Sequence, residues 1–270
     1  MNNKKKALTI IIRASGEATL PLLKKQIKKQ LYKDDILKVI DNDDSFELKL
    51  AQGFKEAINL NNSTAIFIDA DILIRRNLLN KIRKLSLKLK EDDLGFGIKL
   101  WDRFYDQPKF RGLHIYKTKH LKIALSHIPK EGISLRPESA MKNELSGFGL
   151  SWNNQMTHYI GGLHDFSQYL SDIHYKFLVR SNRASKEELS ELKCIFKRNS
   201  DNNEFKVAYD AILNGKNKKI KNDKKIYRNE FQSSLKSHKG YIPRNIDLYL
   251  ISKTFKRYSL TKRFLNSNFL

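Results

Sequence analysis

Three short apolar runs, at residues 8–12, 36–40 and 65–68, each break off into polar residues, and segments of helical spacing separate them. The runs are apolar at consecutive positions rather than alternating, the pattern of strands buried on both faces. Leu20, Leu23, Ile27 and Leu31 mark the first intervening helix. Phe46, Leu50, Phe54 and Ala57 mark the second, with Ser45 as its N-cap. Leu78, Ile82, Leu85 and Leu89 follow the third run and form a helix with an outer face of Lys and Arg. Strand and helix in strict alternation predict an α/β domain with a central, mostly parallel, mixed sheet flanked by helices.

Downstream, 95–100 and 112–116 read as strands and 120–125 as a short helix. Residues 129–159 are broken and polar, as loops around a site are. Phe166, Tyr169, Leu170, Ile173 and Phe177 predict an amphipathic helix. Ser185 and Glu188 form a capping box ahead of a second helix, and 205–213 form a third. A basic, Asn-rich hinge over 214–225 leads to an apolar stripe of Leu248, Ile251, Phe255 and Tyr258. The expected organisation is one domain over 1–213 and a basic helical extension over 214–270.

Composition narrows the class. In 270 residues, 52 Lys and Arg face 29 acids, a formal charge of +23. Residues 216–270 hold 15 basic and 3 acidic residues. Such a charge attracts nucleic acid, anionic lipid and acidic glycans alike. No apolar run approaches the roughly 18 residues of a membrane span. The single cysteine, Cys194, excludes an intramolecular disulfide framework and a Cys-rich zinc site. A cytoplasmic protein is expected, with peripheral contact at the inner face of an anionic membrane through the basic arm.

In open parallel sheets, ligands gather beyond the carboxyl ends of the strands. The first three strands end there in Arg13 to Glu17, Asp41 to Asp44, and Asp69-Ala70-Asp71. Asp-x-Asp alone is a weak signal, and Asp41-Asn42-Asp43 is a second match. Its position at the end of a central apolar strand gives Asp69 and Asp71 their weight. Two carboxylates there repel unless a cation or hydrogen bonds compensate. Mg²⁺ or Mn²⁺ suits oxygen ligands and bridges to a diphosphate. The plain alternative is that both acids cap the next helix.

Ile66-Phe67-Ile68-Asp69-Ala70-Asp71, with the stretch from Ser45-Phe46 through Leu50, Gly53 and Ala57, resembles the nucleotide-sugar glycosyltransferases of the Rossmann-like GT-A fold, family-2-like in layout. The resemblance implies that Asp71 holds the metal and that Asp69 contacts metal or ribose. It places Arg13, Glu17 and Asp41 near the nucleoside. The first loop, Arg13 to Thr19, departs from the commonest family-2 form. His158-Tyr159-Ile160-Gly161-Gly162-Leu163-His164 resembles the His-x-x-Gly-x-x-Lys element of family-8-type GT-A enzymes. That implies His158 as third metal ligand and His164 as a diphosphate contact, with His in place of Lys. Residues 162–169 are similar to the shared C-terminal portion of bacterial surface-polysaccharide glycosyltransferases.

Inverting transfer needs a carboxylate to take the acceptor proton. Glu138 and Asp165 are the candidates, with Asp102 behind them. Pro137 suits the first helical position, so Glu138 also reads as a first-turn acid facing a helix dipole. His114 reads as a strand residue beside the donor sugar or as core. Trp101, Trp152 and Tyr159 are candidates for stacking on sugar rings. The expected activity is metal-dependent transfer of a sugar from a nucleotide-diphosphate sugar to a glycan or lipid-linked acceptor in cell-surface polysaccharide biosynthesis. Two other classes compete: a nucleic-acid-binding protein, motivated by the charge but lacking a recognition motif, and an inactive relative that binds sugar nucleotide.

Overall fold

The computed structural model describes residues 7–42, 44–134, 136–215 and 243–254. Asp43, Phe255, Tyr258 and most of the expected hinge and basic extension lie outside the described residues. The opening alternates as the apolar runs require: β1 (Leu8–Ala14), α1 (Leu20–Lys28), β2 (Ile36–Asp41), α2 (Phe46–Leu60), β3 (Thr64–Asp69) and, across the Asp69 to Asp71 turn, the short β4 (Ile72–Ile74). Next come α3 (Leu78–Ser86), β5 (Asp93–Asp102), β6 (Gln107–Lys117), α4 (Leu121–Ser126), α5 (Pro137–Gly147), β7 (Ser151–Asn153) and β8 (Ile160–His164). Three helices follow: α6 (Leu170–Arg183), α7 (Lys186–Arg198) and α8 (Asn203–Asn214). Ser45 and Ser185 cap α2 and α7 by accepting from the Leu48 and Glu188 amides.

The strands form one mixed sheet in the order β2-β1-β3-β6-β5-β8-β4. β1 pairs parallel with β2 and β3, β6 runs antiparallel to β3 and β5, and β8 runs parallel to β5. One edge of the long β5 is shared, its first half by β7 and its second by β8. Side chains along each strand alternate between two apolar layers. Ile10, Ile12, Ile66 and Ile68 meet Leu23 and Ile27 of α1 and Leu78 and Ile82 of α3 on one face. Ile11, Ala65, Phe67 and Tyr116 meet α2, α4 and α5 on the other. Strands buried between two helical layers need no polar face, hence the continuous runs in the sequence. This is a Rossmann-like GT-A fold.

A third core joins Phe104 and Tyr105 to α6, α7 and α8 through Phe177, Phe196 and Phe205. It caps the end of the sheet where β5 and β8 finish. Residues 243–254 return to the β4–β8 edge, where a helical segment over 246–254 buries Leu250 against Leu73, Trp101, Leu163 and Phe166. Arg75 pairs with Asp247 at 2.5 Å. Among the described residues no helix is long and apolar enough to cross a membrane.

Three expectations need correction. The polar stretch 129–159 contains α5, whose apolar face is narrow because Met141 and Leu145 are its members of the apolar core, with Pro137 and Glu138 buried beside them. Phe166 and Tyr169 precede α6 rather than starting it, because Asp165 and Ser167 take left-handed backbone angles, φ 66° and 56°. The expected stripe of the C-terminal segment faces outward in its described part: Leu248 and Ile251 are 63% and 44% exposed, while Ile246, Tyr249 and Leu250 face the domain.

Gly162 shows how tightly the β4–β8 pairing is drawn. It lies opposite Ile74, and a Cβ there would stand 2.2 Å from the Leu73 carbonyl oxygen. Backbone cannot yield as a side-chain tip can. Gly162→Ala is expected to destabilise by about 1–3 kcal/mol, read as a lower midpoint in urea unfolding. An unchanged midpoint would mean that β4 is not held in this register.

Candidate active site

Parallel register brings the three expected strand ends together: Ala14 stands opposite Asp41, and Arg13 opposite Asp69. The loop after β1 is shaped by its own Glu17 and by Asp41 at the end of β2. Glu17 accepts from the Ser15 amide at 2.6 Å, and Asp41 accepts from the Gly16 amide at 3.1 Å. Lys49 of α2 is buried beneath this loop and donates to the Ala14 carbonyl at 2.8 Å and to Ser15 Oγ. Thr19 Oγ1 donates to the Ala70 carbonyl and ties the loop to the Asp-x-Asp turn.

Strand alternation sends the two aspartates of that turn in different directions. Asp69 shares a face with Phe67, and so do Arg13 on β1 and His114 and Tyr116 on β6. Arg13 is buried, with Phe46 over its guanidinium at 4.6 Å. It donates to Asp69 Oδ1 from Nε at 2.9 Å and pairs with Glu138 at 3.3 Å. Gly112, at φ 53°, makes room: a Cβ there would lie 2.4 Å from Asp69 Oδ2. Burial lifts the Asp69 carboxyl to about 6, further than Arg13 lowers it, with the neighbouring Asp71 adding to the rise. Its side chain is 31% exposed and open to a ligand.

Glu138 lies where Pro137 starts α5, as a first-turn acid, but its surroundings do not suit a general base. It is buried, accepts from Tyr116 and from His114 Nδ1 at 2.5 Å, and has Lys142 at 3.6 Å. Against the pull of burial, the donors His114, Lys142 and Arg13 hold it well below the usual carboxylate range. A base must be reachable and poised near the working pH. Glu138 instead anchors Arg13, and through it Asp69. Burial pulls His114 down to about 4, further than the Glu138 charge lifts it.

Asp71 joins a separate group. β4 pairs with β8 so that Ile72 lies opposite His164, and β5 places Asp102 beside His164. Asp71, His164 and Asp165 each offer a ligand atom within 4.8 Å of the others. The Asp165 amide donates to the Asp71 carbonyl at 3.1 Å, which helps hold the left-handed Asp165. His164 Nδ1 lies 3.0 Å from Asp102 Oδ2, and its Nε2 is turned to Asp71 at 3.6 Å. Asp165 Oδ2 also lies on the Nδ1 side, at 3.1 Å, so Nε2 faces Asp71; a carboxylate on one ring nitrogen with the other turned to a ligand site is how metal-binding imidazoles are oriented. Two carboxylates and an imidazole fit Mn²⁺ or Mg²⁺. Lys176 of α6 is in place as a cation, 3.0 Å from Asp71 Oδ2 and in contact with Asp165 Oδ1. Its side chain is 25% exposed, so a flexible stem can withdraw before an entering ion. Burial lowers His164, but Asp165 and Asp71 outweigh it and leave its pKa raised.

The metal-capable group among the described residues therefore takes His164 and Asp165 with Asp71, and contains neither His158 nor Asp69. His158 is exposed before β8, and that strand advances about 13 Å from Ile160 to His164. Asp165, expected as a base, is buried; burial would raise its pKa, but His164 and Lys176 bring it below the usual range. Trp101 is core, and Trp152 lies under the Lys142 ammonium at 3.5 Å. Lys176 went unread in the sequence. Its signal was a polar stripe, Asp172, Lys176 and Arg180, at four-residue spacing beside the apolar stripe of α6.

No family model matches the chain, and no curated protein matches it. Among solved structures it is similar to the crystal structure of a glycosyltransferase involved in the glycosylation of the major capsid of PBCV-1. Identity is 11%, the match covers 54% of this chain and 82% of that chain, and the TM-score is 0.37. So loose a superposition says nothing of activity or substrate.

The His114 environment makes a pH prediction. Its native pKa, about 4, lies below the ordinary imidazole value of about 6.5, so between these values the unfolded chain binds the extra proton. Stability is therefore present above pH 6.5 and is lost as pH falls towards 4, by up to about 3 kcal/mol. Urea unfolding of the protein and of His114→Gln at pH 7 and pH 4.5 is expected to show a smaller acid loss in the variant. Equal losses would place the sensitivity elsewhere.

Proposed function

We propose that this protein is a metal-dependent glycosyltransferase. It moves a sugar from a nucleotide-diphosphate sugar to a glycan or lipid-linked acceptor in the making of cell-surface polysaccharide. The observation that supports it best is the group Asp71, His164 and Asp165, oriented by Asp102, at the carboxyl edge of a GT-A sheet. Asp71, His164 and Asp165 would hold Mn²⁺ or Mg²⁺. Such an ion neutralises charge developing on a departing diphosphate.

The chain's own residues supply the rest. Arg13, fixed by Glu138, holds Asp69 at the edge of the nucleoside side. Asp69, partly exposed and ionised, can accept a hydrogen bond from a ribose or sugar hydroxyl. Glu17, Asp41 and Lys49 set the loop that borders the base. Lys176, once displaced from the carboxylates, remains within side-chain reach of a bound phosphate. The basic composition of the carboxyl-terminal sequence, together with Leu248 and Ile251 exposed on the described 246–254 segment, favours peripheral contact with anionic lipid at the cytoplasmic face, where a lipid-linked acceptor is presented.

Thermal unfolding with a panel of nucleoside diphosphates and nucleotide sugars, with and without Mn²⁺, tests this reading. A ligand at a hundred times its Kd stabilises by about 2.7 kcal/mol. One nucleotide is expected to raise the midpoint only with Mn²⁺, and Asp71→Ala to lose both that rise and transfer while keeping its near-UV dichroism. No Mn²⁺-dependent rise with any nucleotide, or an equal rise in Asp71→Ala, would sink the proposal.

A further inference from the structure

Glu188, in the first turn of α7, is one carboxylate shared by three arginines. Arg111 of β6 and Arg136 at the start of α5 each lie 3.9 Å from it, and Arg180 of α6 lies 3.6 Å from it. The Tyr105 hydroxyl donates to the same carboxylate and accepts from Arg180. Arg111 also stands 3.8 Å from Asp102, but Asp102 already serves His164 and the Phe104 and Tyr105 amides. Arg183 belongs to the same neighbourhood. Burial, then the charges of Arg180, Arg136 and Arg111, bring its pKa down to about 10.

β6, the start of α5 and α6 thus bring Arg111, Arg136 and Arg180 around the one carboxylate of Glu188. Like charges at such spacing repel, and the cost is recovered when an anion enters. The cluster is not sealed as core: the Arg136 side chain is 59% exposed and those of Arg111 and Glu188 are 22% and 23% exposed, while Arg180 is buried. It also adjoins the metal-capable group, because Arg111 and His164 flank the same Asp102.

We propose that Arg111, Arg136 and Arg180 form the subsite for a phosphate-bearing group on the acceptor, so that the enzyme glycosylates an anionic acceptor. The proposal rests on the glycosyl-transfer reading above. Planar guanidinium forks match phosphate oxygens in pairs. In the free protein Glu188 stands where the phosphate goes and keeps the arginines gathered. An entering phosphoryl group takes over those contacts, beside the metal-capable group rather than on it.

Calorimetric titration with inorganic pyrophosphate tests this, in EDTA and at ionic strength fixed with sodium chloride. EDTA removes any route through a divalent ion, and the chloride screens general attraction to a +23 protein. Arg136→Gln, at an exposed position, is expected to weaken binding about tenfold. Glu188→Gln is expected to act in the opposite direction: it binds pyrophosphate more tightly, melts lower without it and regains the difference with it. Pyrophosphate affinity unchanged in Arg136→Gln, or no tighter in Glu188→Gln, would overturn the subsite. If both variants behave as expected but no nucleotide gives an Mn²⁺-dependent shift, the transferase reading fails and the acceptor role is overturned with it, although the anion site stands.

Discussion

Crowding carboxylates at one edge of a sheet is costly unless cations stand among them, and the arrangement of this molecule follows from how that cost is met. Asp102, Asp165 and Glu138 are buried, and Asp69 and Asp71 are partly so. Arg13 answers Asp69 and Glu138, and Lys176 answers Asp71 and Asp165. Removing one member of such a buried pair leaves an uncompensated charge, which costs more than the intact pair contributes. The two groups therefore tie β1 to α5 and the β4–β8 edge to α6.

Alternation along the strands keeps these two systems apart. Residues two apart in a strand share a face, and Arg13, Asp69, His114 and Tyr116 all lie on the face that α2 and α5 cover. Beyond the turn, Asp71 is governed by β4 and its antiparallel partner β8 instead. One Asp-x-Asp element thereby feeds two environments. In one, burial lifts a carboxyl to about 6 beside an arginine; in the other, an acid joins an imidazole that a second acid orients. Accepting a hydrogen bond from a hydroxyl group suits the first chemically, and holding a cation suits the second.

Asp102 links the groups that face each other across the carboxyl edge. It accepts from His164 on one side, has Arg111 on the other, and accepts two amides of the turn that follows β5. Burial alone would raise its pKa, yet the His164 hydrogen bond and the charges of His164, Arg111 and Lys176 bring it down to about 2. It stays ionised at any working pH, and so keeps both the imidazole and the arginine side in place. The GT-A scaffold supplies the edge; these charges decide what can dock on it.

The sequence by itself determined the strand and helix alternation, the capping of α2 and α7, and the convergence of the first three strand ends. These are local: apolar period, cap residues and chain order are read without knowing any distant contact. It also pointed to Asp69, Asp71, His164, Asp165 and Glu138 as residues worth watching. Which histidine meets Asp71 was decided only in three dimensions, because β8 must run antiparallel to β4 before His164, rather than His158, reaches the turn. The same holds for Glu138, whose burial depends on β1 and β6 lying under α5, and for Lys176, about a hundred residues along the chain from the aspartate it pairs with. A polar stripe can mark Lys176 as a candidate, but which distant partner a charged side chain meets leaves no trace in the local pattern, and so only the tertiary structure could assign it.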